Sequence, residues 1–200
     1  MSEPRPFFDL DEIAGVNVLK LVSRDGTNCL TSARVSALTN QIRNLATNPR
    51  PLMITGNSKF FSAGADLNEI ASLTGPDAYA FSKMGQDLMN AVANFPATVC
   101  AAITGYCMGG GLDLALACHR RIASPNAIFG HRGAALGLIT GWGGTQRLPR
   151  LVGKARALQM FVAADKIHAP EALQIGLIDS VVANPISFAA QTLALQPQHF

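Results

Sequence analysis

The sequence predicts an α/β domain with layered sheets. Short apolar, β-prone runs alternate with longer segments whose apolar residues recur at helical spacing, in the order strand, helix, strand, helix, strand, helix. Two of the strands run straight into turns made of glycine and other small residues, after Gly56 and after Gly105. The chain of 200 residues fits one domain, or one domain with an appendage, and a hydrophobic fraction of 48% is enough for a sizeable core.

Val16 to Ser23 alternates well enough for a strand, and Asp25-Gly26 is a turn signal. Thr31 or Ser32 caps a helix that runs to about Ala46, with Val35, Leu38, Ile42 and Leu45 on one face. Asn48-Pro49 ends it. Pro51 to Gly56 reads as a short buried strand, and Asn57 to Leu67 as a turn of small residues. Asn68 to about Thr74 is expected to be a short mobile piece. Gly75-Pro76-Asp77 opens a second helix with a stripe of Ala80, Met84, Leu88, Ala91 and Val92. Pro96 starts the next strand, which runs to Thr104. The chain breaks at Gly105 and again at Gly109-Gly110-Gly111, then becomes a Leu- and Ala-rich helix. Pro185 to Leu195 reads as one further helix, followed by Gln196-Pro197-Gln198-His199-Phe200.

The central strand–glycine turn–helix segment leaves unpaired backbone N–H groups at a helix N-terminus, a site for negative charge. It matches neither Gly-x-x-x-x-Gly-Lys-Ser/Thr nor Gly-x-Gly-x-x-Gly, so a developing oxyanion is a better occupant than a phosphate. Such an oxygen calls for a second donor on another glycine-rich turn, and the stretch Phe60 to Leu67 supplies one.

These segments resemble the crotonase (enoyl-CoA hydratase/isomerase) superfamily. Phe60-Phe61-Ser62-Ala63-Gly64-Ala65-Asp66-Leu67 is similar to its first oxyanion-hole motif and Gly105 to Ala115 to its second. Gly143 to Gly153 is similar to the segment after the active site, and Ala169-Pro170-Glu171-Ala172 with Gly176 to Val182 to a later helix-to-strand step. The resemblance runs from about Asn28 to Val182. It implies a spiral of repeated ββα units over residues 1–182, with 183–200 a short C-terminal helical segment. It also implies an acyl-CoA thioester as substrate, held through its carbonyl by the N–H groups of Ala65 and Gly110. Ala63, Gly64, Asp66, Leu67, Tyr106 and Gly109 would line the thioester site, with Arg132, Gly133 and Trp142 beside the acyl group. Coenzyme A is then part of the substrate and no separate cofactor is implied. Relatives form trimers, often paired, so a homo-oligomer is expected.

Hydratases of this family carry two glutamates, which let water add across a double bond by activating the water and supplying the proton. Here the first position is Asp113 and the second, in Phe129-Gly130-His131-Arg132-Gly133, is Gly133. Asp113 is either the acid–base group or a dipole-favoured residue in a first helical turn. His131 is a candidate second acid–base group, or a loop residue capping backbone. Arg132 would pair with Asp113 or a substrate carboxylate, or lie in solvent. Trp142 walls the acyl pocket or belongs to the core. His119, at a helix end, reads as structural. Relatives often have a basic residue at Asn68 to meet the phosphates, a role left here to Lys59.

Two functions therefore compete. One is an enoyl-CoA hydratase/isomerase-type enzyme, the other a non-catalytic acyl-CoA-binding paralogue that has lost its second carboxylate. A Clp-like serine hydrolase is disfavoured because no serine follows the central glycine turn. Cys29, Cys100, Cys107 and Cys118 show no metal-ligand spacing and read as reduced, buried thiols. A formal charge of +3 is too small and scattered for nucleic acid, although Arg147, Arg150, Lys154 and Arg156 cluster in sequence. No run reaches the roughly 18–20 apolar residues of a membrane span, and the first residues lack an apolar signal core. A cytoplasmic location is the expectation.

Overall fold

The computed structural model describes residues 7–195. The chain opens with an antiparallel pair, β1 (Phe8–Ile13) and β2 (Val16–Leu21), followed by α1 (Ser32–Leu45). Then come β3 (Leu52–Thr55), β4 (Phe60–Ser62), the short α2 (Leu67–Ala71) and the long α3 (Gly75–Ala93). The next turn of the spiral is β5 (Val99–Ile103), β6 (Tyr106–Met108) and α4 (Gly110–Ala117). It is followed by β7 (Arg120–Ala123), β8 (Ile128–Gly130) and a 3₁₀ turn over Gly133–Leu136. The chain continues through α5 (Gly144–Val152), α6 (Lys154–Ala163), β9 (Ile167–His168), α7 (Ala169–Gln174), β10 (Ser180–Val181) and α8 (Pro185–Ala194).

From β3 to β8, successive strands alternate between two sheets. One has the order β1-β2-β3-β5-β7-β10 and the other β4-β6-β8-β9. Each repeat thus gives its first strand to the large sheet and its second to the small one, and the strands pair in parallel with those of the next repeat. This is the expected ββα spiral.

Strand period 2 explains why both faces of the large sheet are buried. Leu52, Ile54, Val99, Ala101 and Ile103 point into the main core shared with α1, α3 and α4. Met53, Cys100, Ala102 and Ile122 point the other way, onto Ala189, Ala190 and Leu193 of α8.

Several local expectations are corrected. The antiparallel strand β1 precedes the first expected strand, because residues 8–13 pair along the whole of β2. Asn68 to Thr74 is not a loose piece. The Asp66 side chain accepts the N–H groups of Asn68 and Glu69 and caps α2, and Thr74 and Asp77 form a capping box for α3. In α3 the buried positions are Gly85, Leu88, Met89 and Val92, while Ala80 is exposed. Between the two glycine breaks lies a further strand, β6, which pairs with β4 and β8. Residues 196–200 lie outside the described residues. No helix among the described residues is long and apolar enough to cross a membrane.

Candidate active site

The spiral brings the two small-residue turns against each other. Gly64, at φ +97°, bends the chain after β4, and a Cβ on it would lie 2.7 Å from the Met108 carbonyl oxygen and 3.0 Å from the Gly110 nitrogen. Gly109, at φ +50°, caps α4 without a side chain, which leaves Gly110 as the first helical residue. A Cβ on Gly110 would lie 3.2 Å from the Ala65 nitrogen. The Ala65 and Gly110 N–H groups are therefore neighbours, and neither has an acceptor among the described residues.

The Ala65 turn is clamped from an unforeseen direction. Asn28 is fully buried at φ +54°, and its Nδ2 donates to the carbonyls of Phe60 and Phe61 at 3.1 and 3.2 Å. The Ser62 hydroxyl donates to the Asn28 carbonyl, and the Leu30 N–H to that of Gly64. The sequence shows only an asparagine here, and its positive φ is invisible there.

Ala65 and Gly110 both line a cavity of about 790 Å³. Ala63, Ala65, Leu67, Tyr106, Gly109 and Gly110 line one side of it, and Asp113, His131, Arg132, Gly133 and Trp142 another. Gly64 and Asp66 are off the wall. The first packs behind the turn and the second spends its carboxylate on the α2 cap. Most of the remaining wall is apolar, including Ile70, Leu73, Phe81, Leu138, Ile139 and Phe161. Lys59 is not on the wall, but Lys166 is, with its Nζ 5.5 Å from the centre of the Tyr106 ring.

Trp142 is both wall and core. It is 3% exposed, and its Nε1–H donates to the Phe81 carbonyl at 3.2 Å. Gly85 and Gly110 lie on either side of the indole, where a Cβ would collide with the ring.

Asp113 sits one turn into α4 and is 2% exposed. The Thr140 hydroxyl donates to its Oδ2. Its Oδ1 faces His131 Nε2 at 3.5 Å, and neither of these two buried atoms has a hydrogen bond. Gly144 makes the convergence possible, because a Cβ there would overlap Asp113 Oδ1, 2.7 Å from Thr140 Cγ2 and 3.0 Å from His131 Nε2. Burial pushes the Asp113 carboxyl up to about 7, against the Thr140 hydroxyl, the Arg147 charge and the Gly144 N–H. Burial also pushes His131 down to about 4. The same low-dielectric surroundings disfavour both charged forms.

Position 133 has no room for a side chain, since a Cβ there would lie 2.7 Å from the Leu138 carbonyl oxygen. Arg132 is exposed at the cavity and makes no ion pair with Asp113. Thr140, Gly144 and Arg147 were not foreseen as neighbours of Asp113. Arg147 and Arg156 do not gather into one anion site: the first bonds Asn90 and the Trp142 carbonyl, the second Glu171. His119 is structural. Its Nδ1 accepts the Val99 N–H at 2.8 Å, so its Nε2–H is the donor to the Ala93 carbonyl. Cys100, Cys107 and Cys118 are buried and Cys29 is half-buried.

The family model described as enoyl-CoA hydratase/isomerase matches residues 11–197. The chain belongs to this family. A probable enoyl-CoA hydratase of Bacillus subtilis is 47% identical over 130 residues, 64% of this chain and 50% of that protein. The chain thus spans about half the length of that curated relative. Among solved family-like structures, Pseudomonas aeruginosa DspI superposes with a TM-score of 0.91 at 32% identity, covering 98% of this chain and 78% of that one. Enoyl-CoA hydratase from Bacillus anthracis superposes at 0.88 with 34% identity, covering 94% and 75%.

Proposed function

We propose that this chain is an enzyme of the enoyl-CoA hydratase/isomerase type acting on an acyl-CoA thioester. The observation that carries this is the pair of neighbouring, unpartnered N–H groups of Ala65 and Gly110, two residues that line the same cavity as Asp113. The thioester carbonyl oxygen would accept from both. Donors already in place stabilise the negative oxygen that forms when a proton leaves the neighbouring carbon, and each is worth about 3–4 kcal/mol in a dry site. Asp113 is the proton acceptor. A carboxyl titrating near 7 is matched to proton transfer at neutral pH, being both available as base and able to return the proton. The apolar wall suits an acyl chain, and Arg132 and Lys166 at the cavity suit the anionic part of coenzyme A.

A single carboxyl supports isomerisation of a double bond more readily than hydration, which in relatives employs two. One observation favours the binding-only alternative: nothing acidic occupies position 133, and the turn there is closed. Turnover of 2-enoyl-, 3-enoyl- and dienoyl-CoA thioesters by the wild type and Asp113→Asn separates the readings. Product formation that collapses at least 100-fold in Asp113→Asn supports the enzyme. Acyl-CoA binding with no turnover of any thioester supports the binding protein. Absence of both overturns the acyl-CoA reading.

A further inference from the structure

We propose that Asp113 and His131 form a single-proton dyad, aligned by Thr140, in which the substrate proton is held between Asp113 Oδ1 and His131 Nε2. The substrate in this statement rests on the acyl-thioester reading; the dyad and its test do not.

Three observations carry it. First, Oδ1 and Nε2 are both buried without a hydrogen-bond partner among the described residues, and they face each other at 3.5 Å. A buried carboxylate oxygen and a buried imidazole nitrogen are each costly to leave unpaired, so one shared proton satisfies both at once. Second, Thr140 occupies Oδ2, which fixes the carboxyl plane and leaves Oδ1 as the free oxygen. Third, His131 is held from behind: it is 4% exposed, and its ring lies 5.3 Å from that of Phe161 on α6.

The charges around the pair are Arg147 from α5, with Arg132 and Lys166 at the cavity; the buried Cys107 thiol of β6 is raised well above its ordinary value and stays protonated. Arg147 favours the ionised carboxylate, and burial opposes it. In the working form Asp113 is ionised and His131 neutral. The C–H bond next to the thioester carbonyl breaks, and its electron pair enters the enolate, whose negative oxygen faces Ala65 and Gly110. The proton forms an O–H bond on Asp113 and is shared with Nε2. Delivery of that proton to another carbon of the enolate system restores the carboxylate, and no other reactant is consumed. His131 acts through Asp113 and is a positioning residue, as is Thr140.

The test follows ¹⁵N-labelled histidine by NMR from pH 4 to 9, with His131 assigned through the backbone, in wild type and Asp113→Asn. The expected result is a His131 Nε2 shift with an inflection near pH 7, where Asp113 titrates, and imidazolium appearing only towards pH 4. In Asp113→Asn the inflection near 7 disappears and the one near 4 remains. A wild-type trace that is flat between pH 6 and 8, or an inflection that persists in Asp113→Asn, overturns the dyad. The wild-type trace decides alone if the variant does not fold. As a second readout, Thr140→Val moves the wild-type inflection upward by at least half a pH unit; no movement removes Thr140 from the proposal. Because no turnover is required, a missing dyad and a missing acyl-CoA activity are told apart.

Discussion

Gly110→Ala tests the link between the core and the site. The added Cβ would lie 2.5 Å from Trp142 Cζ3 and 2.7 Å from Cε3, where ordinary carbon contacts are about 3.5–4.0 Å. The indole would have to retreat by roughly 1 Å. It cannot do so freely, because Gly85 is packed against its other edge and its N–H is tied to the Phe81 carbonyl. Overpacking of this kind costs about 1–3 kcal/mol. For a chain of this size each kcal/mol lowers Tm by about 2–4 °C, so a fall of roughly 2–12 °C is expected by circular dichroism. The same methyl group would stand 3.2 Å from the Ala65 nitrogen and crowd the space between the two donors. If one donor is lost, kcat falls about 10²–10³-fold on the best thioester. Gly85→Ala is the control: it wedges the indole from the other side and should lower Tm similarly, with under tenfold loss of kcat. Wild-type Tm and wild-type kcat in Gly110→Ala would refute both the wedge and the role of the Gly110 N–H.

Turnover that uses ionised Asp113 should rise through about pH 7 and level above it, and a rate that is flat from pH 6 to 9 would remove Asp113 as the base. Stability carries the opposite slope. The folded-state value of Asp113 is raised, so its contribution is fully present below about pH 4 and is lost as pH rises through about 7. Asp113→Asn should therefore gain on wild type between pH 5 and 9, by on the order of 2–4 kcal/mol in urea titrations. His131 is lowered, so its contribution is present above about 6.5 and lost as pH falls through about 4; His131→Phe should flatten that acid limb. Asn28→Ala removes two donors to the Phe60 and Phe61 carbonyls and should cost about 1–3 kcal/mol, with KM for acyl-CoA rising as the Ala65 turn loosens. Unchanged stability and KM would show that the clamp is not needed.

Much of the site was legible because its donors are backbone groups. Glycine and alanine in Phe60–Leu67 and Gly105–Ala115 announce close approach and an open helix N-terminus, and Asp113 is a carboxylate in an apolar helix. The helix cap at Thr31 and the buried face of α1 are local matters, set by spacing and side-chain chemistry. The strand β1 was not legible, because five of its six residues are exposed and it is held by pairing rather than by an apolar pattern.

Motif order and composition alone determined the α/β class, the two facing turns and the single carboxylate after the glycine triplet. Only the tertiary structure decided which groups share a corner. Asp113, His131, Thr140 and Gly144 are separated by up to 31 residues, and the parallel pairing of β6 with β8 together with the packing of α4 on α5 brings them into contact. Burial shifts the titration of both groups, and burial is a property of everything packed around a residue rather than of its neighbours in the chain. The same is true of Trp142, whose place between Gly85 and Gly110 gives two distant glycines one physical reason: there is no space beside the indole for anything larger than hydrogen.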